Sequence, residues 1–153
     1  MSQKCCHPCP MPGPEPYVPI DSYAQYSVLA NPPSGSVLPM HTVFQEGDAI
    51  KLGSETEIIL EPGYLYLVNY LFLATPGQDG YLQILPKIDG RPGLLYSVFA
   101  TAGISKNASA PGSFTVRTPG PEEGTLSFVL AYAGPTSNID ISGAISVTPL
   151  LRI

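Results

Sequence analysis

The chain has 153 residues, enough for one domain with its own core. Only 12% of them are charged, against about a quarter in an average soluble domain, while 44% are apolar and the formal net charge is -5. The seven basic residues (Lys4, Lys51, Lys87, Arg91, Lys106, Arg117 and Arg152) are scattered, which argues against a nucleic-acid stripe and against an anionic membrane surface. So little surface charge favours association, and it fits a subunit that buries much of its exterior against copies of itself. An uncharged but monomeric sandwich is the plainer alternative. The N-terminus lacks the apolar run of a signal peptide, so the chain is expected to be made in a cytosol without a leader.

Residues 1–21 differ from everything after them and are read as an extended arm, with residues 22–153 as the domain. Five prolines fall between Pro8 and Pro16. Proline has no amide donor and holds φ near -65°, so the stretch forms neither helix nor central strand. At a polyproline rise of about 3.1 Å per residue, some twenty residues reach about 60 Å. All three cysteines, Cys5, Cys6 and Cys9, lie in this arm and none follows it. A disulfide therefore joins arm to arm, or arm to another cysteine-bearing protein. Neighbouring Cys5 and Cys6 pair poorly, and an odd count leaves a thiol seeking an outside partner. Intermolecular cross-linking needs an oxidising environment. Three other readings stay open. Cys6-His7-Pro8-Cys9 has the spacing of a thiol oxidoreductase without its helix setting. Zinc suits Cys5, Cys6, His7 and Cys9, but they are crowded into one short run. The thiols are inert in the third reading. The arm residues expected to dock on another subunit are Pro10, Met11, Pro12, Pro14, Pro16 and Tyr17.

From Ser22 onward, short runs rich in Val, Ile, Leu, Tyr and Phe alternate with Gly, Pro, Asn and Asp clusters. Strands are predicted in order over Tyr23 to Ala30, Val43 to Gln45, Ala49 to Leu52, Glu57 to Leu60, Tyr64 to Ala74, Tyr81 to Lys87, Leu94 to Thr101, Ser113 to Arg117, Thr125 to Ala133 and Ala144 to Ile153. Turns at Glu61-Pro62-Gly63, Gln78-Asp79-Gly80 and Asp89-Gly90 separate them. Ten short strands without a helical period point to an all-β, two-sheet architecture. Tyr64 to Ala74, the longest apolar stretch, is interrupted by Asn69 and too short for a bilayer-spanning helix. On Thr125 to Ala133, Leu126, Phe128, Leu130 and Tyr132 share one face, yet Val129 and Ala131 make the other face apolar too. Such a strand has a second surface to bury.

The run Pro62-Gly63-Tyr64-Leu65-Tyr66-Leu67-Val68-Asn69-Tyr70, the strand closing on Lys87-Ile88-Asp89-Gly90, the segment Gly124 to Leu130 and the final Ala144-Ile145-Ser146-Val147 resemble the ten-strand jelly roll of tumour necrosis factor and the complement globular head. Within that superfamily the chain is most similar to the C-terminal domain of the BclA-like collagenous glycoproteins of bacterial spores. The resemblance covers residues 22–153 and implies a homotrimer about a threefold axis, where three arms would bring nine thiols together. No Gly-X-Y repeat precedes the domain, which departs from that family. A jelly roll with a cysteine-bearing connector looks instead like a subunit of endospore appendages. The resemblance thus implies a pilus-like structural fibre on the spore surface, at the exosporium or coat, with trimers stacked head to tail. It implies self as the main partner, a cysteine-bearing coat or exosporium protein as anchor, and production in the mother-cell cytosol. The alternative is a trimeric ligand-binding or adhesive cap.

No catalytic motif, phosphate-cradling loop or dinucleotide fingerprint occurs, and neither an enzyme nor a cofactor is expected. His41, in Met40-His41-Thr42 between strands, reads as a loop or interface histidine. Glu55 and Glu57, alternating onto one strand face, and the loop pair Glu122-Glu123 read as solvated surface. Asp79 and Asp89 sit at strand tips, where related trimers hold calcium, but no calcium loop surrounds them. Asn107-Ala108-Ser109 matches a glycosylation acceptor and is read as coincidence.

Overall fold

The computed structural model describes residues 21–153; the proposed arm, with Cys5, Cys6, Cys9, Pro10, Met11, Pro12, Pro14, Pro16 and Tyr17, lies outside the described residues. Twelve strands follow in chain order: β1 (Tyr23–Ala30), β2 (Ser36–Val37), β3 (His41–Glu46), β4 (Ile50–Ser54), β5 (Glu57–Leu60), β6 (Tyr64–Ala74), β7 (Tyr81–Ile88), β8 (Arg91–Pro92), β9 (Val98–Thr101), β10 (Ala108–Thr118), β11 (Gly124–Ala133) and β12 (Ile141–Arg152). A five-stranded sheet runs β10-β6-β12-β1-β3. The second runs β4-β5-β11-β7-β8, with β2 beside β11 and β9 beside β7. Every pairing is antiparallel and the chain passes repeatedly between the sheets, so the all-β, two-sheet jelly roll expected from the sequence is the observed fold. The two strands beyond the expected ten, β2 and β8, have two residues each.

Boundaries of several strands shift from expectation, and four differences bear on particular residues. β10 starts at Ala108 rather than the expected Ser113 and takes in Pro111 and Gly112, which an edge strand tolerates because a missing N–H there need break no ladder. Leu94–Tyr96 is a 3-10 turn rather than the start of a strand; Ser97 Oγ caps it on the Leu94 carbonyl, and the Tyr96 carbonyl accepts the Tyr70 hydroxyl at 2.8 Å. His41 opens β3, paired with Ser27, and is not in a connector. Glu55 sits in the turn between β4 and β5, so it shares no strand face with Glu57.

The core lies between the sheets. Alternation on β6 sends Tyr66, Val68, Tyr70 and Phe72 inward to meet Leu126, Phe128 and Leu130 of β11, all buried. Phe128 packs edge-on to Tyr70 at 5.3 Å and tilted to Phe72 at 5.9 Å, and Tyr96 stacks on Phe114 at 4.7 Å. Gly112, opposite Tyr70 on β10, makes room for that ring: a Cβ there would collide with it.

Two buried hydroxyls on this core have opposite roles. Tyr66 shares its proton between the carbonyls of Ala49 at 3.1 Å and Glu61 at 2.8 Å, tying β6 to the connectors before β4 and after β5. Tyr26 is fully buried, and its hydroxyl has no partner among the described residues. Tyr66→Phe is expected to cost about 1 kcal/mol, because each carbonyl loses one donor but keeps another, the Glu61 N–H on Ala49 and the Thr118 hydroxyl on Glu61, whereas Tyr26→Phe is expected to be neutral or stabilising. Burial pushes Tyr26 and Tyr70 up to about 12, and pushes Tyr66 upward with help from the Glu61 charge. A raised phenol favours the folded state while it keeps its proton. Stability is therefore full below about pH 10, where unfolded tyrosine ionises, and falls as pH rises from there toward 12. Urea midpoints for both variants between pH 8 and pH 12 measure this, and Tyr26→Phe should lessen the alkaline loss.

Candidate assembly surface

The outer face of the five-stranded sheet is built from the residues that alternate away from the core. β6 contributes Leu67, Asn69, Leu71 and Leu73; β12 contributes the small residues Ser142, Ala144, Ser146 and Thr148; β1 contributes Tyr23, Gln25, Ser27 and Leu29. On β10, Ser109, Pro111, Ser113 and Thr115 face the same way. Among the described residues, ionisable side chains are confined to the margin of this face, with His41 and Glu46 on edge strand β3 and Arg117 at the far end of edge strand β10. Leu71 and Leu73, on the inner strand β6, are 47% and 53% exposed. An inner strand with leucines open to water on a face whose charges lie at its margin is an interface composition rather than a solvated one.

At one end this face is cut by a groove of about 870 Å³. Its floor and walls come from four adjacent strands in one register: Ala108 is opposite Ala74, Ala74 opposite Ile141, and Ile141 opposite Ala30. The neighbouring outward row reads Ser109, Leu73, Ser142, Leu29, so a serine sits between two leucines that stand up as walls. Leu29 is 78% exposed. At the rim Asn31 Nδ2 donates to Oδ1 of Asp140 at 2.7 Å, and both residues line the groove. Asn107 and Ser109, the ends of the acceptor-like tripeptide, also line it.

A second apolar area lies to the side, where β9 and the 3-10 turns close the sandwich. Tyr81 stacks on Phe99 at 4.9 Å, and Leu94, Leu95 and Ile104 project outward, Leu95 with 93% exposure. The outward Ser127, Val129 and Ala131 of β11, read from the sequence as a second apolar face, are intermediate in exposure, with Val37 of β2 paired beside Val129 in the same sheet. The more open apolar surface belongs to β6 of the other sheet.

Asp89 Oδ1 accepts the N–H of Thr125 at 2.9 Å, Glu123 pairs with Lys51 at 3.2 Å, and Asp79 lies in a left-handed turn with its N–H on the Gly103 carbonyl. Among the described residues no cluster of three metal-ligating side chains occurs. His41 is exposed on β3. The groove escaped the sequence reading because its strands lie far apart in the chain; its one local signal was the alternation of small residues along β12.

No protein-family model matches the sequence, and no curated protein matches it. Solved structures do match. The vertex protein P5 of PRD1 superposes with a TM-score of 0.57 at 14% identity, covering 86% of this chain and 99% of that one. Murine APRIL gives 0.55 at 12% identity, covering 82% and 98%. The globular domain of zebrafish complement 1qA protein gives 0.54 at 12% identity, covering 85% and 99%. At such identities the likeness establishes the fold, a jelly roll of the tumour-necrosis-factor and complement-head type.

Proposed function

We propose that this chain is a non-catalytic structural subunit whose jelly-roll trimers stack head to tail through the arm of residues 1–21 into a fibre, reinforced by disulfides among Cys5, Cys6 and Cys9. The fibre belongs on the spore surface, attached to the exosporium or coat through a cysteine-bearing anchor, in keeping with the sequence resemblance to BclA-like heads and endospore appendages. That one matching fold is a vertex protein fits an assembly role.

The observation that carries this reading is the uncharged outer face of the five-stranded sheet. Four strands about 4.8 Å apart and about 24 Å long present roughly 450 Å² in projection. A stable interface needs about 800 Å² per partner. The lateral patch around Leu94, Leu95 and Phe99 supplies a second apolar area at a different place on the subunit. Face and patch on one body suit a heterologous contact, which closes into a ring at the right rotation. The low overall charge and the arm then account for stacking of rings.

Negative-stain electron microscopy of the purified protein, with and without reductant, tests this. Regular fibres are expected in both conditions, shorter or more easily dissociated in reductant, and a Cys5, Cys6 and Cys9 to Ser variant should mimic reductant. Discrete trimers in both conditions would favour the cap or adhesive reading, and monomers would remove the assembly reading altogether.

A further inference from the structure

We infer that the groove at the end of the five-stranded sheet receives the proline run of another copy's arm, Pro10 to Pro16, making it the head-to-tail joint. The inference rests on the proposal that the arm joins subunits, and it adds where the arm goes.

Fit comes first. The outer two of the four strands lining the groove are about 14 Å apart at ordinary sheet spacing. A polyproline segment rises about 3.1 Å per residue, so five or six residues cross it. The sequence from Pro10 to Pro16 has seven, four of them proline. Proline brings no N–H into an apolar slot, where an unpaired donor would be costly. The segment's carbonyls find donors at the rim in the hydroxyls of Ser109 and Ser142 and the amide of Asn107. Its one charge, Glu15, stands toward the end that leaves the groove.

Position decides whose arm it is. The root of the arm is fixed at the opposite end of the sandwich: Ser22 Oγ donates to the Glu46 carbonyl at 3.2 Å, and the Asp21 carbonyl lies against Gly47, where a Cβ would come within 2.5 Å. β1 then runs about 24 Å from Tyr23 to Ala30 at the groove. A subunit's own arm starts at the wrong end and would have to reverse and recross the whole sheet. The arm of a copy stacked end to end meets the groove directly. A contact between unlike ends does not close, so it propagates as a filament. Cys9, immediately before the run, would leave the groove beside other arms, the only source of a partner thiol within the assembly.

The test places benzoylphenylalanine at Met11, and separately at Tyr17, in the full-length chain, and mixes isotopically light and heavy protein before illumination. Cross-links are expected between light and heavy chains, at the strand ends carrying Leu29, Leu73, Ser109 and Ser142. Leu73→Glu, at an exposed position that leaves the core intact, should reduce them at least tenfold with an unchanged circular dichroism spectrum. Cross-links within single chains, at other surfaces, or absent altogether would overturn the groove assignment. Micrographs of the same samples separate the two ideas: fibres with cross-links elsewhere leave the fibre reading standing, and groove cross-links in discrete particles leave the joint standing without the fibre.

Discussion

Deleting residues 1–16 should abolish fibres and leave discrete, folded oligomers. Both sheets and the aromatic cluster lie between Tyr23 and Arg152, so the described body has a core of its own. Thermal stability is expected to change by no more than about 0.5 kcal/mol, the range of surface changes that touch no packed group. Stacking, by contrast, loses its only extended connector. If a docked arm contributes even about 5 kcal/mol per joint, its removal weakens each joint several thousandfold, and a chain of such joints cannot persist at micromolar protein. Light scattering after size exclusion, paired with micrographs, reads the result. Fibres surviving the deletion would mean that faces of the body, rather than the arm, make the axial contact. Dissociation all the way to monomers would mean that the arm also holds the ring together.

The fold was largely legible in the chain, because its strands are punctuated by turns whose chemistry is unambiguous. Pro62-Gly63 and Asp79-Gly80 end one apolar run and permit the next, and β1, β5 and β6 begin and end where the pattern said they would. Legibility failed where a local signal was overruled by position in the sheet. Pro111-Gly112 breaks a central strand but not an edge, and Gly112 serves to admit the Tyr70 ring. Leu94 to Thr101 is apolar enough for a strand throughout, but a long-range bond from Tyr70 to the Tyr96 carbonyl holds its first half in a turn. The surface was legible only in kind. Two-sided apolar strands and scarce charge pointed to burial against copies, but which face is open depends on pairing. The outward residues of β11 are intermediate in exposure, while Leu71 and Leu73 of β6 are more open. The groove could not be seen at all, since it exists only when residues near positions 30, 74, 108 and 141 come into one row.

Leu71→Glu should convert the lateral oligomer into monomers without unfolding them. Leu71 stands in a row between Pro111 of β10 and Ala144 of β12, at the centre of the uncharged face. In a lone subunit the position is 47% exposed, so a glutamate can reach water there and the fold should lose less than about 1 kcal/mol. Once another copy covers the face, the same carboxylate is stripped of water with no cation of its own sheet nearby, because Arg117 and Arg152 lie at the far end. Burying an unpaired ion costs several kcal/mol, at least a hundredfold in association at each interface, and a closed ring incurs that cost at every contact. Glutamate is the informative choice because a lysine at the same site could run its ammonium out along the leucines to the rim. Leu71→Met keeps both volume and polarity and should assemble normally. Sedimentation velocity across a concentration series distinguishes the outcomes. A Leu71→Glu variant that still sediments as the parent oligomer would show that this face stays open in the assembly, and would shift the lateral contact to the patch around Leu95 and Phe99 alone.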